Sequence, residues 1–210
     1  MTLKEFNYNY EARMLSMSSA EPLDKILFFK MLRDQKSLES VLAITDFSNK
    51  MEKQEYKHGK LSKSQYLAHP YRVARLLMEH FPTIDESYIR LALCHNIIEV
   101  SVVSESLSSY LGSEMMSCVQ TLTVDRLVQW DPDYKISYYK KINEKKITRM
   151  IKVFDKLDNL FTLSKNNDKE VKVKYLKEIS THVLPFVKLD MPFLEDYFEA
   201  IIKINYDFIG

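Results

Sequence analysis

Five residues of this chain have types and spacing that could do chemistry: His69, His95, Asn96, Glu99 and Asp155. His95-Asn96 and Glu99 lie in a run, 89–98, that is apolar at nearly every other position. On a continuous helix His95 and Glu99, four apart, share one face. A histidine, an amide and a carboxylate in a buried stretch are costly unless something pairs with them. One account is a core histidine bonded to a neighbouring carbonyl. The other is a site. Asp155 raises the same choice, because it sits among Val153, Phe154 and Leu157. An aspartate there is not left bare: it takes a salt bridge to a lysine, with Lys152 one turn before it, or it serves a ligand. Two imidazoles and a carboxylate can together hold one divalent ion and leave positions for water and phosphate oxygens.

The elements that must position these groups read as helices. The first 22 residues show no clear period and form a lead-in, followed by a short helical segment over 26–32. A firmer helix starts at Leu38, with Val41, Ile44, Phe47 and Met51 on one stripe, and Gly59 is its stop. Residues 60–68 form a polar, basic loop. Pro70 suits a first helical turn, which puts His69 at the mouth of a helix over 71–80. Thr83-Ile84-Asp85-Glu86 reads as a capping box opening the helix that carries His95. Ser-rich turns and a shorter helix over 113–122 follow, then a loop with Trp130 and Asp131-Pro132. Lys140, Lys141, Lys145 and Lys146 make the next region basic, as a solvated face or a phosphate contact. A second core helix over 147–163 bears Asp155 and Asn159, four apart. Two amphipathic helices, 171–180 and 191–206, close the chain. There is no internal repeat and no linker, so the expectation is one all-α domain over 38–210 with an N-terminal helical extension over 1–37.

Composition narrows the function classes. Three glycines in 210 residues disfavour phosphate-cradling loops and tight hairpins. Thirty basic against twenty-nine acidic side chains leave a formal charge of +1, so nucleic acid is not an expected partner. Two cysteines, Cys94 and Cys118, make no disulfide framework and fit a reducing compartment. No run approaches the roughly 18 apolar residues of a membrane span, and Met1-Thr2-Leu3-Lys4-Glu5-Phe6 lacks a signal peptide's apolar core. The expectation is a cytoplasmic protein without membrane contact.

Three blocks then resemble a family. Tyr66-Leu67-Ala68-His69-Pro70, Leu91-Ala92-Leu93-Cys94-His95-Asn96-Ile97-Ile98-Glu99 and Ile151-Lys152-Val153-Phe154-Asp155-Lys156-Leu157-Asp158-Asn159-Leu160 are similar in order and spacing to the HD-domain hydrolases of the RelA/SpoT group. The likeness is nearest to the stand-alone small alarmone hydrolases of the metazoan SpoT homologue type. It spans about residues 38–180. It implies an all-α HD-domain bundle and Mn²⁺-dependent removal of the 3′-pyrophosphate from ppGpp or pppGpp, a guanine nucleotide alarmone. Carried over residue by residue, His69, His95, Asn96 and Asp155 match metal ligands, and Glu99 matches the acid that handles the attacking water. Asn159 matches a nucleotide contact near the ribose. Across gaps, Lys60 or Lys63 takes the guanine side, Arg126 a phosphate and Tyr175 the ribose side. The sequence departs from the pattern in three places. The family's aspartate is Asn96, which removes one negative charge from the ion's surroundings. The second acid after Glu99 is Val100, which relays no proton. The basic loop before His69 is shorter than the family's. The alternative reading is an inactive HD domain that senses a nucleotide or binds a protein partner.

Overall fold

The computed structural model describes residues 1–18, 23–57 and 63–209, and of residues 16–18 and 63–66 the backbone alone. The helix stop at Gly59 and the basic residue Lys60 lie outside the described residues. Among them the chain is helical, and its extended pairing is an isolated antiparallel bridge between Tyr56 and Ser101. No described helix is long and apolar enough to cross a membrane. The chain divides into two compact units, one of Ser19–Leu127 and one of Met1–Ser18 with Val128–Gly210.

In the Ser19–Leu127 unit, α2 (Leu23–Gln35), α3 (Leu38–Glu52), α4 (Lys63–His80), α5 (Glu86–Cys94), α6 (Ile97–Val100) and α7 (Glu105–Leu122) follow one another. α4 packs on α2 and α5, and α3 packs on α5. The stripe expected on α3 points inward at Ile44, Phe47 and Met51, while Val41 stays part-exposed. Ser37 caps α3 by accepting the Ser40 N–H.

Three local expectations are corrected here. The basic loop expected over 60–68 is helical from Lys63, so His69 and Pro70 lie two turns inside α4 rather than at its mouth. An internal proline removes one helical N–H and costs about 3 kcal/mol. The burial of Tyr71, Val73, Ala74, Leu76, Leu77 and Met78 on the same helix offsets it. The cap of α5 is Asp85, whose Oδ1 accepts the Ser87 N–H at 2.8 Å, and not Thr83. α7 begins earlier than Ser113: Ser104 caps it, and Gly112 at φ 76° divides it into two helical stretches. Only glycine takes that φ without strain, which is why a serine-rich stretch that reads as turns is helical up to that point.

The other unit is organised around α9 (Lys146–Thr162), with α1 (Leu3–Ser18), α8 (Pro132–Asn143), α11 (Leu184–Asp190) and α12 (Glu195–Asp207) packed on it, and α10 (Lys169–Glu178) packed on α12. Residues 150–158 of α9 are all buried, its charged residues included. The lead-in expected at the N-terminus is the helix α1. Phe6 stacks between Phe161 and Phe208 at centroid distances of 5.8 and 5.6 Å. Arg13 donates from Nε to Asp158 Oδ1 at 2.9 Å, and its guanidinium lies 4.1 Å from the Phe161 ring centre. Asp131 caps α8 with Pro132 in its first turn. Between α10 and α11 the chain widens into a π-helical turn, Ile179–Val183. Pro185, which has no N–H to give, follows two residues later.

Candidate metal and phosphate site

His95 ends α5. The chain turns at His95-Asn96, with Asn96 at φ −106°, ψ 8°, before resuming as α6. The single continuous helix expected through Glu99 is therefore broken between the histidine and the glutamate. Asn96 supplies the break because a short amide side chain tolerates this sparsely occupied backbone region. The turn aims the imidazole. His95 is 4% exposed, and its Nδ1 lies 2.7 Å from the Ala92 carbonyl oxygen. A carbonyl can only accept, so Nδ1 carries the proton and Nε2 presents its lone pair, the state in which histidine ligates a metal. The His69 ring stands edge-on to it, with centroids 5.1 Å apart and planes at 69°. Two helices of one unit thus set two imidazoles side by side. The core histidine bonded to a neighbouring carbonyl, one of the two accounts open in the sequence, is present at His95.

Glu99, on α6, is held at both oxygens. Oε1 accepts the Val124 backbone N–H at 3.1 Å, and Oε2 meets Arg126 Nη2 at 2.5 Å. The glutamate side chain is 12% exposed and the arginine 67%. An ion pair with one partner so open to water contributes about 0–1 kcal/mol. The backbone beneath Glu99 is pinned more firmly. Lys57 donates from Nζ to the Ile98 carbonyl at 2.9 Å and from its amide to that of Val100 at 2.8 Å, beside the Tyr56–Ser101 bridge. The Val124 amide and Lys57 are parts of this region that residue types alone do not reveal, since backbone donors carry no sequence signal.

In the unit built on α9, Asp155 is 7% exposed. Its Oδ2 accepts from Lys152 Nζ at 2.9 Å and its Oδ1 from Asn159 Nδ2 at 2.9 Å. The salt bridge read as one option in the sequence is present. A carboxylate that ligates a metal is usually held by such neighbours. Burial alone would depress the Lys152 ammonium. The Asp155 carboxylate and the Tyr138 hydroxyl outweigh it and keep the amine charged far above the ordinary lysine range. Tyr175 approaches the same group. Burial first, then the Asp155 and Glu178 carboxylates, push its phenol well up, and the hydroxyl is buried without a hydrogen-bond partner among the described residues. Beside it, Glu178 takes Lys135 at 2.7 Å, Tyr139 at 2.6 Å and Lys156 at 2.9 Å. These three donors overcome its burial and lower its carboxyl to about 2.

The remaining candidates are divided between the two units. Lys63 opens α4, and its side chain lies outside what is described. Lys140, Lys141, Lys145 and Lys146 are exposed at the end of α8 and the start of α9. Asn159 and Tyr175 lie on the Asp155 side, Arg126 on the Glu99 side.

No family model matches the chain, and no curated protein matches it. Among solved structures it is similar to a metazoan ortholog of SpoT described as hydrolysing ppGpp and playing a role in starvation responses, with 21% identity, a TM-score of 0.60, and 80% of this chain and 96% of that one covered. At that identity the likeness shows the fold. The all-α fold expected from the sequence is the fold of the described residues, and the chain shares it with this neighbour.

Proposed function

We propose that the chain is a divalent-metal-dependent phosphohydrolase that removes the 3′-pyrophosphate of ppGpp or pppGpp, with His69, His95 and Asp155 as ligands of one Mn²⁺ and Asn96 beside them. The observation that supports this most is the His69–His95 ring pair, with Nδ1 of His95 committed to the Ala92 carbonyl. Asp155, which the resemblance carries over as the third ligand, would complete a donor set of two nitrogens and a carboxylate, and such a set suits Mn²⁺ or a similar ion. An ion held there supplies positive charge to phosphate oxygens and acidifies water. Glu99 accepts one proton of the attacking water as the water oxygen bonds to the 3′ phosphorus; the P–O bond to the ribose 3′ oxygen breaks, pyrophosphate leaves, and the 3′ oxygen takes up a proton to become the hydroxyl. Arg126 meets a phosphate, Asn159 and Tyr175 meet the ribose side, and Lys60 and Lys63 the guanine side. The solved neighbour's own substrate supports the choice of alarmone.

A second reading is a nucleotide sensor that binds the same ligand without turnover. Asn96 and Val100 favour it, because the site lacks one negative charge and one proton relay. The discriminating assay is pyrophosphate release from ppGpp with Mn²⁺. The hydrolase reading expects turnover that Glu99→Gln abolishes and that Asn96→Asp with Val100→Asp raises by about 10²-fold or more, the contribution of a positioned acid–base group. Binding without turnover in every variant leaves the sensor and removes the hydrolase.

A further inference from the structure

We propose that Arg126 is a latch on Glu99: it holds the carboxylate in the resting protein and leaves it for a phosphate or pyrophosphate group, so that anion binding and release of the base are one event. The proposal rests on the reading of Glu99 as the base and goes beyond it, since it makes a single arginine serve two partners in turn. Three observations carry it. Both oxygens of Glu99 are occupied, one by the Val124 amide and one by Arg126. With Arg126 on Oε2 the guanidinium stands where a water would approach that oxygen, and its departure opens the place.

The two donors differ in what it takes to move them. The Val124 amide is backbone, whereas the Arg126 side chain is 67% exposed and rises from a turn shaped by Asp125, whose Oδ1 accepts the Leu127 N–H at 2.9 Å. Rotation of the arginine side chain alone performs the exchange. Glu99 itself stays in place, because Lys57 fastens α6 at Ile98 and Val100. Finally, the exchange is favourable in direction. A guanidinium binds phosphate oxygens in a bidentate fork, and the exposed ion pair it leaves at Glu99 is weak.

The test is a four-protein cycle with inorganic pyrophosphate, in EDTA and at about 0.15 M ionic strength, where exposed charges beyond about 8 Å are screened. Wild type, Glu99→Gln, Arg126→Ala and the double variant are titrated by calorimetry. A latch predicts that Glu99→Gln tightens pyrophosphate about fivefold while Arg126 is present, the amount an exposed ion pair can withhold. It predicts no such gain in the Arg126→Ala background. Arg126→Lys should keep much of the affinity and lose much of the coupling, because an ammonium lacks the fork. Equal tightening with and without Arg126 overturns the latch, since that is plain charge repulsion; so does failure of all four proteins to bind. Circular dichroism confirms that each variant is folded. Coupling in a protein that releases no pyrophosphate from ppGpp keeps the latch and removes the hydrolase reading; hydrolysis without coupling does the reverse.

Discussion

Lys152 and Asp155 form a buried pair, at 4% and 10% side-chain exposure and 2.9 Å apart, and the proposed site makes this pair a competition. Replacing Lys152 with methionine keeps most of the stem's volume and removes the charge. Asp155 then loses its ammonium partner and keeps the Asn159 amide. Breaking a buried pair by removing one partner costs about 3–5 kcal/mol, and for a chain of this size each kcal/mol is worth roughly 2–4 °C in Tm. A fall of roughly 10 °C is therefore expected for Lys152→Met in EDTA. If Asp155 is a metal ligand, Mn²⁺ replaces the missing charge, and the variant should bind it more tightly than wild type does. Saturation at about 100 times Kd returns about 2.7 kcal/mol, most of what was lost. The assay is thermal melting of wild type and variant, each in EDTA and across a Mn²⁺ titration. A variant as stable as wild type in EDTA would show that the pair is not what stabilises this part of α9. A destabilised variant that Mn²⁺ does not restore would remove Asp155 from the metal site.

The Glu178 carboxyl, lowered from 4.5 to about 2 by Lys156, Lys135 and Tyr139 against its burial, contributes stability above its unfolded pKa that is lost as pH falls through the folded one. Glu178→Gln should therefore cost on the order of 3 kcal/mol at neutral pH and flatten the acid destabilisation between about 4.5 and 2, read by urea unfolding across that range. Arg13→Met should cost about 3–5 kcal/mol by leaving Asp158, 1% exposed, without its ion-pair partner Arg13. Adding Asp158→Leu should recover most of that loss in the same measurement. Asn96→Asp should tighten Mn²⁺ by about tenfold, since a unit charge at about 4 Å is worth ~1–4 kcal/mol between bulk and near-surface dielectric; calorimetric titration checks it, and an unchanged affinity would place Asn96 outside the ion's reach.

Much of this molecule was legible in its sequence where periodicity and burial agree. α9 announces itself through Ile147, Ile151, Phe154, Leu157 and Phe161, and Asp155 stands out against that apolar background. The His95 helix was legible as buried but not as broken, because the turn at Asn96 depends on backbone angles that the apolar run conceals. α4 reads shorter in the sequence than it is, for a related reason. Pro70 normally marks a first turn, and only the packing of the residues after it makes an internal proline tolerable. α1 offered no stripe at all. Among its described side chains Phe6 and Arg13 are the buried ones, and both meet residues far along the chain. The pairing of Glu99 with Arg126 was equally hidden, since each was read separately, one as a base and one as a phosphate contact.

The central claim is that His69, His95 and Asp155 hold one divalent ion. Metal-free protein reloaded with Mn²⁺ and counted by electron paramagnetic resonance and elemental analysis tests it most directly, on wild type and on His69→Ala, His95→Ala and Asp155→Ala. One tightly held ion per chain in wild type, lost or weakened at least tenfold in each of the three folded variants, is the result the account predicts. An ion retained undiminished in Asp155→Ala, or no bound ion in wild type, would contradict it.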